Sequence, residues 1–380
     1  MPDAYLDHAA SSPLRPEARA AVLAALDEHY ANPTGAHHLA RAARKCIDDA
    51  REQLAELAGV PARGVIFTGG GTEADNLAIN GARTKAMRAT VGAGAVACSA
   101  VEHHAVLHPV EHRGGIIVPV DANGMVDLDS LADTLRAAST PVALVSVMGV
   151  NNETGVVTPM ADVAELVRQF APDAVLHCDA VQAAAWMPLA DIAAHVDALS
   201  LSAHKLGGPK GVGALIVQPE VMVSPMILGG GQEQERRSGT HDTAGIAGFV
   251  AAAAANERDD HRDRIAAMRD RLIDALQGAV DGVHETSPRH LKVAGNAHVL
   301  IDGIESEALL FLLDRAGICA SAGSSCSSGA VSISHVLAAM GIDAERGRGA
   351  VRFTLGWTTT DVEIDHVIDV LPDLVRKLRR

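Results

Sequence analysis

Three short segments of the chain carry residues that could bind an anion and react with a carbonyl group. Gly69-Gly70-Gly71-Thr72 follows an apolar run and opens a helical pattern, so its backbone N–H groups could approach a phosphate. Asp179 ends a second apolar run, at the edge where ligands of α/β proteins bind. Lys205 leaves a third run and precedes a glycine-rich stretch, which makes it a candidate for Schiff-base formation. Taken singly, these features are explained as well or better by a tight turn, a helix-capping aspartate and a solvated lysine.

The combination of the three features is more specific than any one of them. Pyridoxal phosphate (PLP) needs a lysine to hold its aldehyde, a carboxylate to keep its pyridine nitrogen protonated and a cradle for its phosphate. The chain supplies these groups in the order glycine-rich turn, Asp179 and Lys205, with Lys205 26 residues after Asp179. Ser202 and His204, beside the lysine, could hydrogen-bond the phosphate. The pattern therefore predicts a PLP site.

A further segment carries a thiol in an unusual setting. Cys326 lies within SAGSSCSSG, whose small polar residues and glycines show no periodicity and predict a mobile surface loop. An inert cysteine is normally buried among apolar neighbours, so a reactive thiol is expected here, with an incidental free thiol as the alternative. Cys319 lies in a strand-like run and is predicted to be in the core. The cysteines in helix or strand patterns are predicted to be structural, and they are Cys46, Cys98 and Cys178.

The elements that would position these groups alternate between strand-like and helix-like stretches. β-rich runs occur at residues 64–68, 95–99, 116–120, 142–147, 174–178, 198–202 and 213–217. Most are separated by helix-length segments, which predicts βα units and a largely parallel sheet. The last two runs are too close together for a crossover helix, so they are expected to pair differently.

Apolar residues at steps of three and four from Leu39 to Leu57 predict a helix that ends at Gly59.

The pattern of predicted elements changes in the second half of the chain, which predicts two domains. After residue 256 the predicted elements are a charged helix around 265–276, strands at 297–301, 317–321 and 351–355, a helix at 306–316 and a last helix capped by Thr360 and Glu363. We predict a large α/β domain over residues 15–255, and a small α+β domain of residues 1–14 and 256–380 that carries the Cys326 loop.

In chain order, the motifs resemble those of cysteine desulfurases of the NifS/IscS-like group, within the class V aminotransferase branch of fold-type I PLP enzymes. The matching segments are YLDHAASSP, ANPTGAH, FTGGGTEADNLAI, VEHHAV, NNETG, HCDAVQA, SLSAHKLGGPKGVGAL, RRSGT, SAGSSCSSG and VRFTLG. The resemblance covers nearly the whole chain. It implies a large domain with a mostly parallel mixed sheet and a smaller C-terminal α+β domain.

The resemblance also implies a reaction and roles for individual residues. L-Cysteine would become L-alanine while its sulfur forms a persulfide on Cys326, which passes it to a protein acceptor in iron–sulfur assembly, tRNA thiolation or DNA phosphorothioation. Lys205 would hold the coenzyme, and His103 would lie over its ring as an acid/base group. The remaining cofactor contacts would come from Gly71, Thr72, Asn152, Asp179, Gln182, Ser202 and His204, together with Thr240 of the neighbouring subunit of a homodimer. The substrate carboxylate would be gripped by Asn32, Asn152 and Arg352.

Two other functions stay open on the sequence. Another class V enzyme, such as an aminotransferase, epimerase or carbon–sulfur lyase, would have a similar cofactor site but would need no mobile thiol. A non-catalytic docking subunit would be expected to show damage to the cofactor set, yet every expected position is filled.

Composition limits the partners and the compartment. The 380 residues contain 32 Lys and Arg against 47 Asp and Glu, a formal charge of −15, which argues against direct binding to nucleic acid or to an anionic membrane. The five cysteines form neither a CxxC pair nor a metal-like cluster, which favours free thiols in a reducing compartment and predicts no metal. The first residues lack the apolar stretch of a signal peptide, so a cytoplasmic location is expected.

Overall fold

Strands and helices alternate along the computed structural model, which describes residues 4–87, 94–322 and 333–379. The strands are β1 (Ala4–Tyr5), β2 (Val65–Thr68), β3 (Ala82–Thr84), β4 (Ala95–Ser99), β5 (Ile116–Val118), β6 (Val142–Ser146), β7 (Val175–Asp179), β8 (Ala198–Ser202), β9 (Gly213–Val217), β10 (Val221–Val223), β11 (Val283–Glu285), β12 (Asn296–Ile301), β13 (Ile318–Cys319) and β14 (Ala350–Thr354). The helices are α1 (Pro16–Glu28), α2 (His38–Ala58), α3 (Gly71–Gly81), α4 (His104–His112), α5 (Leu128–Ala137), α6 (Met160–Phe170), α7 (Leu189–Ala193), α8 (Thr243–Arg258), α9 (Arg262–Ala279), α10 (Ser306–Arg315), α11 (His335–Ala339), α12 (Ala344–Gly347) and α13 (Asp361–Leu378). Cys326, the predicted nucleophile, lies outside the described residues.

The large mixed sheet has the strand order β2-β9-β8-β7-β6-β4-β5. Neighbouring strands from β8 to β5 are parallel, whereas β9 is antiparallel to both β8 and β2. The predicted α/β class, the parallel arrangement and the different pairing of β8 with β9 are therefore confirmed. The prediction for residues 116–120 was too long, because β5 ends at Val118.

Burial explains why the central strands are apolar along their whole length. All residues of β6, β7, β8 and β9 are buried, as expected of strands covered by helices on both faces. Among the polar side chains that break this rule, His177, Ser146 and Ser200 are fully buried inside neighbouring strands. Buried polar groups are kept when they are hydrogen-bonded, so these three mark a polar region inside the sheet.

Helix α2 begins and ends where its sequence signals predict. The His37 side chain caps its first turn by accepting the Ala40 N–H, and Gly59 ends it in the left-handed conformation at φ 66°. Its buried face includes Ile47 and Leu54. A non-glycine residue at position 59 would be strained at this positive φ, so the glycine allows the helix to end here.

A second apolar cluster gathers the N-terminal strand and the C-terminal elements. It joins Leu6 to residues of α9, α10, α13, β12 and β14, and Phe353 lies fully buried within it. This grouping supports the proposed division into domains of residues 15–255 and of 1–14 with 256–380. In the described residues, no helix combines the length and apolarity that crossing a bilayer requires.

Two details of the C-terminal half test the sequence reading directly. The capping box before α13 is confirmed, because the Thr360 N–H donates to the Glu363 carboxylate at 2.8 Å while the Thr360 hydroxyl accepts the Glu363 N–H at 3.4 Å. The predicted strand at 317–321 is reduced to the two residues of β13, which pair with β1. Cys319, at the end of this short strand, is half-buried and not in the core as predicted.

Candidate active site

A cavity of about 360 Å³ opens at the carboxyl ends of β7 and β8. Residues from several distant motifs meet there because the carboxyl ends of parallel strands share one edge of the sheet. The predicted site residues that line it are Gly71, Thr72, His103, Asn152, Asp179, Gln182, Ser202, His204, Lys205 and Arg352. Motifs spread over more than 280 positions of the chain therefore converge on one cavity.

Lys205 stands three residues beyond β8 and presents its amine to the cavity. Its Nζ donates to the carbonyl oxygens of Ala9 at 2.6 Å and Ala10 at 2.9 Å. Burial, with a smaller contribution from the positive charge of Arg352, lowers the pKa of this amine to about 8, although the Asp179 carboxylate opposes the shift. About a tenth of the amine is therefore neutral and nucleophilic at pH 7.

Asp179 is the last residue of β7 and is almost fully buried at the cavity. Its Oδ1 accepts the Val181 N–H at 2.9 Å. Burial raises the pKa of this carboxyl to about 6, against the hydrogen bond and the Lys205 charge, which both favour the ionised form. At neutral pH the carboxylate can therefore stabilise a positive charge placed in the cavity. Gln182 is fixed beside it by a 2.7 Å hydrogen bond from Nε2 to the Ala9 carbonyl.

The turn from β2 into α3 forms a cradle of backbone atoms. Gly70 has φ 144°, a conformation that favours glycine, and it precedes the first residue of α3. A Cβ added to Gly71 would lie 2.8 Å from the Val181 side chain, so only glycine allows the amino end of α3 to pack this closely. The first N–H groups of a helix lack partners within the helix, which lets them bind an anion. Ser202 and His204 line the same cavity, and the burial of His204 lowers its pKa to about 4.

His103 caps the amino end of α4 and borders the cavity. Its Nδ1 accepts the Ala105 N–H at 3.1 Å. Burial and the charge of Lys205 lower the pKa of the ring to about 4, so His103 is neutral at physiological pH. Since Nδ1 accepts a hydrogen bond, the single ring proton lies on Nε2, which can serve as a donor.

Arg352 brings a buried positive charge to the cavity wall. Its Nη1 donates to the Asn152 carbonyl at 2.7 Å, and its Nη2 donates to the Asp7 carboxylate at 3.0 Å. Within the part of the chain that the structure describes, its buried Nε has no hydrogen-bond partner. A guanidinium with donor capacity to spare is suited to binding a carboxylate of a ligand.

Three predicted site residues are not brought into this cavity by the described chain. Asn32 is exposed, and its side-chain oxygen accepts from the N–H of Thr34 at 3.0 Å and from the Thr34 hydroxyl at 2.8 Å. Thr240 is also exposed, and neither residue lines the cavity. Cys326 lies outside the described residues.

The chain that leads towards Cys326 passes the cavity wall at Ser321. Ser321 lines the cavity and pairs with Arg352, since its N–H donates to the Arg352 carbonyl at 3.1 Å and its carbonyl accepts the Arg352 N–H at 2.7 Å. Cys326 is five positions further along the sequence. The described chain therefore anchors one end of the predicted catalytic segment at the cavity.

Sequence reasoning missed two kinds of cavity residue. The Ala9 and Ala10 carbonyls bind Lys205, but backbone contacts leave no side-chain signature in a sequence. Asp75, in α3, also lines the cavity and is fully buried. A signal for Asp75 existed, because a carboxylate that precedes Leu77 and Ile79 in a short apolar helix is unusual for a buried face.

Comparisons with known proteins match this chain over most of its length. The family model described as "Aminotransferase class-V" matches residues 4–367. The "IscS-like cysteine desulfurase" of Mycobacterium tuberculosis is 40% identical over 386 residues, which cover 99% of this chain and 97% of that protein. A solved structure described as "NIFS-LIKE PROTEIN" has a TM-score of 0.89 at 29% identity and covers 99% of this chain and 100% of that chain. Another, described as "SspA in complex with cysteine", has a TM-score of 0.78 at 27% identity, with coverage of 92% and 98%.

Proposed function

We propose that this chain, which belongs to the aminotransferase class-V family, is a PLP-dependent cysteine desulfurase. It converts L-cysteine to L-alanine and passes the sulfur to a protein acceptor, as in iron–sulfur assembly, tRNA thiolation or DNA phosphorothioation. The observation that carries the proposal is the cavity that joins the half-buried Lys205 amine to the buried Asp179 carboxylate, in a chain 40% identical to a cysteine desulfurase along its length.

The residues of the cavity fit pyridoxal 5′-phosphate. Lys205 would hold its aldehyde, and Asp179 would pair with its ring nitrogen. The glycine-rich turn at the amino end of α3 and the polar side chains of Thr72 and Ser202 would hold its phosphate. When bound, the coenzyme supplies an electron sink for negative charge that develops on the substrate.

The side chains of this protein would then bind the substrate and move its protons. Arg352 binds the cysteine carboxylate, helped by Asn152 on the same wall. His103 holds one proton on Nε2 and can donate it to the reacting part of the substrate. Lys205 has a lowered pKa that suits it to accept a proton from the substrate and return it. The cavity thus contains an acid, a base and a carboxylate clamp.

Cys326 completes the reaction as the sulfur carrier. Its thiolate attacks the sulfur of the bound cysteine, forming an S–S bond as the substrate C–S bond breaks. The electron pair of that bond stays with the substrate carbon, which takes up a proton to become alanine. One cysteine and one enzyme thiol therefore give one alanine and one enzyme persulfide, with no external oxidant or reductant. The persulfide sulfur then passes to the acceptor.

We also infer that the active unit is a homodimer in which Thr240 reaches the neighbouring site. Thr240 is exposed and lies outside the cavity of its own chain, as a residue that serves a partner must. The segment before it exposes Met226 and Leu228, which are 48% and 81% exposed. Apolar side chains grouped on a surface favour a protein contact, so this segment is suited to lie against a second copy.

Substitution of Arg352 tests the carboxylate clamp. Arg352→Lys keeps the charge but loses the planar pair of donors, so we expect the KM for cysteine to rise about 10-fold, and about 100-fold for Arg352→Ala, with smaller changes in kcat. Steady-state kinetics would measure both constants. Arg348→Lys, on the exposed surface nearby, is the control. An unchanged KM in Arg352→Ala would place the clamp on other residues.

The lowered pKa of Lys205 predicts how uptake of the coenzyme depends on pH. Only the neutral amine can react with the aldehyde, so the uptake rate of the apoprotein should rise about tenfold per pH unit below the pKa of about 8, and level off above it. Stopped-flow absorbance would follow the uptake. A rate that keeps rising to about pH 10 would mean that the amine titrates as an ordinary lysine.

The reaction itself is tested by its products. Incubation of the enzyme with L-cysteine and a thiol reductant should give alanine and sulfide in equal amounts. Pyruvate in place of alanine would instead identify a carbon–sulfur lyase, and products without sulfide would identify an aminotransferase or epimerase.

A further inference from the structure

The buried polar region behind Asp179 contains carboxyl groups that the proposed reaction does not use. Asp75 of α3 lines the floor of the cavity and is 1% exposed. Its side chain lies beside Ser200, and among the described residues its Oδ1 has no hydrogen-bond partner. Glu102 is also fully buried, and its Oε1 accepts from the Ser99 hydroxyl at 2.6 Å and the Met148 N–H at 2.8 Å.

The charges that face Asp75 disfavour its ionisation. Burial is the largest cause that raises the pKa of Asp75 well above its ordinary range, and its acidic neighbours Asp179 and Glu102 raise it further, whereas the Ser200 side chain acts in the opposite direction. His177 lies with Nε2 3.8 Å from Oδ1 of Asp75, but its burial lowers its own pKa to about 3, so it is neutral. The Lys205 ammonium acts on Asp179 and stabilises its ionised form. Among the three carboxyl groups of this cluster, the Lys205 ammonium therefore favours the ionisation of Asp179.

Hydrogen bonds behind the cavity join Ser146, His177 and Ser200. His177 Nδ1 lies 2.8 Å from the Ser146 hydroxyl, and its Nε2 lies 2.9 Å from the Ser200 hydroxyl. If Asp75 donates to Ser200, Ser200 can donate to Nε2, and Nδ1 then donates to Ser146. Each donor in the chain thus has an acceptor, and Asp179 keeps its own hydrogen bond from the Val181 N–H at 2.9 Å.

We propose that Asp75 is a positioning residue that stays protonated and donates to Ser200, so that Asp179 carries the negative charge of this buried cluster. The role of Asp75 rests on the proposed function, because it acts on the reaction only through Asp179. A neutral Asp75 leaves Asp179 free to pair with the ring nitrogen of the coenzyme, whereas an ionised one would compete for that positive charge.

Equilibrium urea unfolding of the holoenzyme at a fixed protein concentration tests the proton on Asp75. Asp75→Asn keeps the shape and a donor for Ser200 but cannot ionise. The wild-type protein must hold a proton that its unfolded chain releases above about pH 4, so the wild type should lose stability relative to Asp75→Asn as the pH rises from about 5 to 8. The ratio of folded to unfolded protein should fall relative to the variant by up to about tenfold per pH unit.

Two further variants separate the expected pH trend from a general loss of stability. Asp75→Ala loses the hydrogen bond and leaves a space, so its stability should be lower at every pH, but it should show the same trend relative to the wild type. Asp369→Asn, an exposed position in α13, should show no trend. A difference between the wild type and Asp75→Asn that is constant from about pH 5 to 8 would show that Asp75 is ionised in the fold and would overturn the proposal.

The visible spectrum of the coenzyme gives a readout that is independent of cysteine turnover. Asp75→Asn should keep the pH midpoint of the spectrum, because it replaces one neutral group by another. A shifted midpoint in Asp75→Asn would contradict the proposal. Failure to form alanine and sulfide would instead contradict the proposed function and leave the unfolding result unaffected, so the two failures are distinguishable.

Discussion

Lys205→Ala is expected to lose the visible absorbance of the lysine-bound coenzyme and to form alanine at least about 10³-fold more slowly. The physical reason is the position of Nζ, which reaches the cavity 2.6 Å from the Ala9 carbonyl and has a pKa lowered to about 8 by burial. Removal of this amine takes away both the covalent anchor of the coenzyme and a base with a suitable pKa. Absorbance spectra and alanine assays would measure the two effects.

Lys377→Ala is the matched control for this change, because Lys377 is exposed on α13 and far from Lys205 in the sequence. It should keep both the spectrum and the rate. If Lys205→Ala kept the visible band of the wild-type protein, the coenzyme would be held by another amine and the role of Lys205 would be wrong.

Cys326→Ser is expected to keep the visible spectrum, to bind cysteine and to lose about 10³-fold or more of sulfide production. A serine hydroxyl cannot carry the sulfur, whereas the coenzyme site, which lies within the described residues, is unchanged. The prediction separates a desulfurase from the other class V activities, because transamination and epimerisation need no second thiol. Sulfide release and the spectral change on addition of cysteine would be measured together.

Cys46→Ser is the control for Cys326→Ser. Cys46 is half-buried in α2 and does not line the cavity, so its substitution should leave sulfide production unchanged. Substantial sulfide production by Cys326→Ser would assign the sulfur-carrying thiol to a different residue.

The fold was predictable from the sequence where apolar runs decide the structure. The predicted bounds of β4, β8 and β9 are the observed ones, because β8 and β9 are buried along their whole length and β4 is buried at every residue but Ala95. Asp179 and Lys205 were placed at a shared sheet edge for the same reason. The shortened β13 was not predictable, since its length depends on a single partner strand from the other end of the chain.

The candidate site was predictable as a set of motifs but not as a network of contacts. The carbonyls that hold Lys205 belong to Ala9 and Ala10, and a contact across 196 positions has no spacing signal. The buried hydrogen bonds from Ser146 through His177 to Ser200 depend on the order of β6, β7 and β8 in the sheet. Sequence patterns predict single strands, whereas such networks arise only when the strands are paired.

Mass spectrometry of the coenzyme-loaded protein after brief treatment with L-cysteine tests the central claim most directly. A desulfurase that uses Cys326 should carry one additional sulfur atom on the peptide that contains this residue, and the addition should disappear on treatment with a thiol reductant. The same peptide without added sulfur, in protein shown to be fully loaded with the coenzyme, would contradict the account.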